Sequence, residues 1–146
     1  MIEEGKPAPD FELKSDAGES VRLSSLRGRP VVLYFYPKDD TPGCTTQACG
    51  IRDSYDAFRE RGALMFGISA DSEASHAEFK AKYQLPFTLL AVPEREVGEA
   101  YGVIREDSPY FERSTFVIDA NGNVAKVMRR VHPEEHADQV LAALPG

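Results

Sequence analysis

Val31, Val32, Leu33, Tyr34, Phe35 and Tyr36 form an unbroken run of β-branched, aliphatic and aromatic residues that ends at Pro37. A strand with one wet face alternates polar and apolar residues, whereas a continuous run of this kind fits a central strand covered on both sides. Layers are then needed on either face, and the rest of the chain has to supply them.

It does so in alternation. Residues 64–68 read as a second buried strand and residues 87–92 as a third. Between them, Ser72 and Glu73 open an amphipathic segment whose Phe79 and Tyr83 lie one helical turn apart. Thr41 followed by Pro42 marks a helix start, with the hydroxyl placed to cap and proline at the first helical position. This helix is predicted to run to about Arg61 and to stop at Gly62. Residues 11–13 and 21–23 flank Ser15, Asp16, Ala17 and Gly18 as a small hairpin, followed by a turn over residues 24–28. Val97, Ala100 and Tyr101 mark a short helix, and residues 115–118 and 124–128 form a closing hairpin. A last helix begins near Pro133 and carries Val140, Leu141 and Leu144 inward. The alternation, with antiparallel additions, predicts an α/β sandwich with a mixed central sheet flanked by helices. With 146 residues, 42% of them hydrophobic, residues 1–146 are read as a single domain.

Composition narrows the partners. Seventeen Lys and Arg against 24 Asp and Glu leave a net charge of -7, which repels phosphate backbones and anionic lipid, so neither nucleic acid nor membrane is expected. No apolar stretch approaches the roughly 20 residues of a membrane helix. Glu3, Glu4, Asp10 and Glu12 occupy the region where a secretory signal needs a basic start and an apolar run, so a cytoplasmic protein is expected.

Two cysteines, Cys44 and Cys49, sit in one short segment. In a cytosolic chain such a pair points to redox or metal chemistry rather than to a permanent staple. The segment P-K-D-D-T-P-G-C-T-T-Q-A-C leaves the strongest strand and enters a helix, where open α/β sheets favour ligand sites. With Thr41 as the cap, Cys44 falls in the first turn, where unpaired N–H groups and the helix dipole favour an anion. Its thiol is expected to be more acidic than a free one, at about 8.5, and its thiolate to be nucleophilic. Cys49 follows five residues later, which in an intact helix puts the two Cα atoms roughly 8 to 9 Å apart. A disulfide needs less than about 7 Å. Joining the thiols therefore requires the first turns to unwind, giving a folded reduced state and a locally unfolded oxidised one. Gly43 and Gly50 bracket the segment and favour its melting.

The stretch FYPKDDTPGCTTQACGIR, residues 35–52, resembles the peroxiredoxins, specifically the bacterioferritin-comigratory or Q-type subgroup. The resemblance continues through ERSTFVID, residues 112–119, to the C-terminal helix. It rests on the P-x-x-x-T-x-x-C element after a strand and on Arg113 at the second signature position. What it implies is a thioredoxin-like sandwich acting as a peroxidase on hydrogen peroxide and organic hydroperoxides. Cys44 would be the peroxidatic cysteine, attacking the distal peroxide oxygen and becoming a sulfenic acid. Thr41 would hold the peroxide, Arg113 would lower the thiol pKa and stabilise charge on the oxygens, and Pro37 would shield the pocket from water. The N–H groups of Gly43 and Cys44 would add donors. Cys49 would resolve the sulfenic acid as an intramolecular disulfide, reopened by thioredoxin or a similar dithiol reductant. The resemblance further implies a monomer, with no cofactor or metal. Gln47 departs from the subgroup, which more often has Glu there.

Other readings use the same residues. A dithiol oxidoreductase would employ both cysteines, but its usual C-x-x-C spacing is shorter. In a redox sensor, oxidation of Cys44 would melt the helix and expose a partner surface. A zinc module would need a more compact Cys and His pattern. His132 and His136, four apart, are read as a solvated helix face, and His76 as surface. Asp39, Asp40, Asp53 and Asp56 are read as acidic residues favoured near a helix start. Tyr34 and Tyr36 are expected to pack, and residues 105–111 to fold back near the site.

Overall fold

The computed structural model describes residues 2–93 and 96–144. Its strands are β1 (Glu12–Ser15), β2 (Ser20–Arg22), β3 (Val31–Phe35), β4 (Leu64–Ser69), β5 (Thr88–Ala91), β6 (Ser114–Ile118) and β7 (Val124–Met128). Its α-helices are α1 (Pro42–Asp53), α2 (Tyr55–Glu60), α3 (Glu73–Tyr83), α4 (Glu96–Ala100) and α5 (His136–Ala143). The strands form one mixed sheet in the order β2-β1-β5-β4-β3-β6-β7. β3, β4 and β5 run parallel because helices carry the chain back between them, whereas the two hairpins add antiparallel strands on either side. The expected α/β sandwich with a mixed sheet is the fold that forms.

All five residues of β3 are buried, as its composition requires. Alternation sends Val31, Leu33 and Phe35 to one face and Val32, Tyr34 and Tyr36 to the other. The first face packs with Phe11, Tyr101, Val103 and Phe111. The second lies under Cys44, Ala48 and Ile51 of α1, Phe58 of α2, Phe79 of α3 and Val140 of α5. Cys44 therefore belongs to the core of the helical layer, although it sits in the first turn of its helix.

Gly67 pairs with Tyr34 across β3 and β4. A Cβ there would stand 2.7 Å from Tyr34 Oη and 2.8 Å from Leu89 Cδ2. Both neighbours are buried and cannot swing aside. Gly67→Ala is accordingly expected to destabilise the fold by about 2 kcal/mol, measured as a lower midpoint in chemical denaturation.

The elements differ from expectation in three places. The helix expected to reach Arg61 breaks at Ser54, whose backbone (φ -105, ψ 7) shares its N–H between the carbonyls of Gly50 and Ile51 at 3.2 and 3.1 Å. The expected turn over residues 24–28 is partly a 3-10 helix, Leu23–Leu26. The last helix starts at His136, because residues 133–135 form a turn first. Among the described residues, no helix is long and apolar enough to cross a membrane.

Candidate active site

Thr41 is the N-cap of α1 by its backbone, and its carbonyl accepts the Thr45 N–H at 2.8 Å. The expected side-chain cap is not made. Thr41 Oγ1 instead donates to the Lys38 carbonyl at 2.8 Å. A hydroxyl has one proton, so this bond leaves its lone pairs as acceptors. The first-turn N–H groups of Gly43 and Cys44, which have no intrahelical partner, are left uncapped by Thr41. Cys44 is 1% exposed, and Cys49 is half-buried further along the same unbroken helix; both thiols are free.

Arg113 approaches this turn from the residue preceding β6, held by its carbonyl to the Val131 N–H at 3.0 Å. Its guanidinium lies over Gly43, where a Cβ would stand 2.9 Å from Nη2. Nη1 donates to Oε1 of the fully buried Gln47 at 2.6 Å. Among the described residues no carboxylate pairs with Arg113, and the adjacent Glu112 turns to Arg129 and Arg130 at 3.7 and 3.3 Å. The amide at position 47 thus orients the guanidinium without neutralising it. Pro37 and Arg113 line an open cleft of about 780 Å³ with Ile104, Arg105, Arg130 and Val131. The segment 105–111 does fold back here, and Lys38 Nζ sits 5.9 Å from the centroid of the Tyr110 ring.

Two histidines read as surface residues are buried. His136 is 0% exposed, its Nε2 stands 2.7 Å from Thr115 Oγ1, and its ring centroid is 5.4 Å from that of Tyr34. Burial first, and Arg113 second, depress its pKa to about 3, so the ring is neutral at physiological pH. The Tyr34 phenol is pushed well above its ordinary range by burial, and the charge of Cys44 adds to the effect. Only His132 of the pair is exposed.

His76 is also 0% exposed. Its Nδ1 lies 2.7 Å from Asp39 Oδ2 and its Nε2 3.0 Å from the Leu90 carbonyl. Asp39 was expected to serve the dipole of α1 but is buried against α3, and Asp40 bonds Lys82 and Tyr83 at 2.7 and 2.6 Å. Asp39, Asp71 and His76 bring ligand-type atoms within 4.8 Å of one another, but those atoms already hydrogen-bond within the protein. The sequence did hold a signal for His76: it lies three residues before Phe79 and seven before Tyr83, on one helical face.

A model described as the AhpC/TSA family matches residues 5–127. The chain is 46% identical over 149 residues to the peroxiredoxin Bcp of Bacillus subtilis, covering 98% of this chain and 95% of that one. The crystal structure of peroxidoxin BcpB from Mycobacterium tuberculosis matches with a TM-score of 0.90 and 36% identity, over 98% of this chain and 96% of the other. The bacterioferritin comigratory protein of Xanthomonas campestris gives a TM-score of 0.90 at 34% identity, over 97% and 96%. By a family model over most of its length, by identity to these relatives and by a shared fold, this chain belongs to the AhpC/TSA family of peroxiredoxins and stands with the Bcp and peroxiredoxin Q proteins.

Proposed function

We propose that this chain is a thiol-dependent peroxidase that reduces hydroperoxides at Cys44 and is regenerated through Cys49. The observation that carries the reading is the first turn of α1, where Cys44 meets uncapped N–H groups while the Arg113 guanidinium lies across Gly43. A hydroperoxide entering the cleft beside Pro37 gives its hydrogen bond to Thr41 Oγ1, whose own proton is committed to Lys38. Arg113 and the N–H groups of Gly43 and Cys44 donate to the peroxide oxygens. The Cys44 thiolate attacks the distal oxygen, the S–O bond forms as the O–O bond breaks, and the departing oxygen takes a proton to leave as water or an alcohol. Sulfur is oxidised to the sulfenic acid and the peroxide is reduced. Tyr34 and His136 stay neutral nearby, and Arg113 is the positive charge that lies against the first turn of α1.

Cys49 then attacks the sulfenic sulfur, a disulfide forms and water leaves, a step for which α1 has to unwind. A thioredoxin-like dithiol restores both thiols by two exchanges. The reading places a monomer in the cytoplasm, where such reductants keep thiols reduced. The Xanthomonas relative is described in terms of alkyl peroxide reduction; here Ile104 and Val131 stand in a cleft otherwise lined mainly by charged side chains, Glu106, Asp107 and Glu112 among them. Turnover of hydrogen peroxide with thioredoxin, its reductase and NADPH is the deciding assay. A protein that is oxidised once and never recycles would favour the sensor instead.

Gly43→Ala tests the Arg113 contact. The methyl group pushes a guanidinium that also bonds the buried Gln47, so a loss of stability of about 1 kcal/mol is expected. Displacing the guanidinium should slow the reaction of Cys44 with peroxide by about 10-fold in stopped-flow measurements.

A further inference from the structure

We propose that Asp39 and His76 are positioning residues for peroxide reduction: they clamp the loop between β3 and α1 onto α3 and so fix where Thr41 and Cys44 stand. The inference rests on the proposed role of Cys44, yet none of the bonds that carry it involves the cysteine.

The loop occupies residues 36–41, and its middle is held from several elements. The Asp39 carboxylate accepts Tyr36 Oη at 2.5 Å and Ser75 Oγ at 2.8 Å, and faces His76 Nδ1 at 2.7 Å. Its backbone N–H donates to Asp71 Oδ2 at 2.8 Å, and that oxygen is held in turn by Ser69 Oγ at 2.6 Å. His76 is fixed from behind. The Leu90 carbonyl can only accept, so Nε2, 3.0 Å away, carries a hydrogen. A second hydrogen lies between Nδ1 and Asp39, whichever of the two owns it. Strand β5, the end of β4, the first turn of α3 and the loop thereby meet in one network whose centre, Tyr36, Asp39 and His76, is buried, where hydrogen bonds are stronger than in water.

Asp40 extends the grip. Its φ of 58 lies in the left-handed region, uncommon for a residue other than glycine. Lys82 Nζ and Tyr83 Oη, at the far end of α3, hold its carboxylate in that conformation. One helix therefore holds two consecutive loop residues, Asp39 by its first turn and Asp40 by its last. Thr41 comes next, its hydroxyl bonded back to Lys38 within the same loop, and Cys44 follows three residues later. A helix that unwinds for the resolving step needs a fixed point from which to rewind in register, and this anchored loop supplies it.

The test compares two reactions of Cys44 in the reduced full-length protein. Hydrogen peroxide needs the oriented donors around the sulfur, whereas iodoacetamide needs only an accessible thiolate. Asp39→Ala should slow the peroxide reaction by at least about 30-fold and change alkylation by less than about 3-fold. Asp39→Asn retains an acceptor for Tyr36 and a donor for His76 Nδ1, and should return the peroxide rate to within about 5-fold of wild type. If Asp39→Ala does not fold, Ser75→Ala removes a single bond to the carboxylate and should show a selective loss of about 5-fold. Unchanged peroxide rates, or parallel losses in both reactions without rescue by Asn, would overturn the clamp while leaving the peroxidase intact. A wild type that reacts no faster than free cysteine would instead sink the peroxidase reading, and the clamp with it.

Discussion

Cys44→Ser is expected to lower hydroperoxide reduction by at least about 10³-fold, to the uncatalysed background. Serine keeps the size and the first-turn position of the side chain but offers no thiolate, and its oxygen cannot accept a transferred oxygen atom. The fold should survive, since the exchange removes little volume from a site that is 1% exposed. Peroxide consumption under saturating reductant gives the direct measurement, and wild-type turnover in the variant would mean that this sulfur is not the reacting atom. Cys49→Ser should behave differently. Its first oxidation proceeds normally, then the protein stalls as a sulfenic acid, seen by mass spectrometry as one added oxygen.

Acid should weaken the protein through His136. Its folded pKa is depressed to about 3, with burial the larger cause and Arg113 the smaller. In the unfolded chain the same ring takes up a proton near its ordinary value of about 6.5. Between these values the unfolded state binds more protons, so this contribution is fully present above about pH 6.5 and is lost as pH falls toward 3. The loss between pH 6.5 and pH 4 amounts to about 3 kcal/mol. Denaturant titrations at both pH values measure it. His136→Gln keeps a polar group near Thr115 without the titration and should flatten the pH dependence. An equally steep profile in that variant would assign the acid sensitivity to other groups.

The individual strands and the cysteine-bearing turn were legible because each is local, whereas the order of the strands in the sheet is set by long-range pairing and was not. The apolar run of β3, the Gly and Pro punctuation of the hairpins and the Thr41-Pro42 helix start each fit within a few residues. What stayed hidden depends on partners brought from far along the chain. Asp39 and His76 are 37 residues apart, and Thr115 and His136 are 21 apart, so nothing adjacent to either histidine announces its burial. Helical periodicity offered a partial clue in both cases, since His136 shares a face with Val140 just as His76 does with Phe79. Residue type argued the other way, because histidine in a charged helix is more often exposed. The direction of the Thr41 hydroxyl was equally out of reach. Capping and bonding back to Lys38 are both local options for one rotor, and the geometry of the loop selects between them.

The break at Ser54 bears on how the protein survives repeated oxidation. Unwinding spreads cooperatively along a hydrogen-bonded ladder and loses momentum where that ladder is interrupted. On the proposed cycle, melting that begins near Cys44 meets such a firebreak before it reaches α2, whose Phe58 remains seated in the core. The segment that opens buries Cys44, Gln47, Ala48 and Ile51, of which Ile51 alone is a large apolar side chain. Transiently exposed apolar surface is what makes partly opened proteins stick to one another. On the proposed cycle, opening confined to this segment would bare one large apolar side chain per turnover and leave the aromatic core of α2 covered.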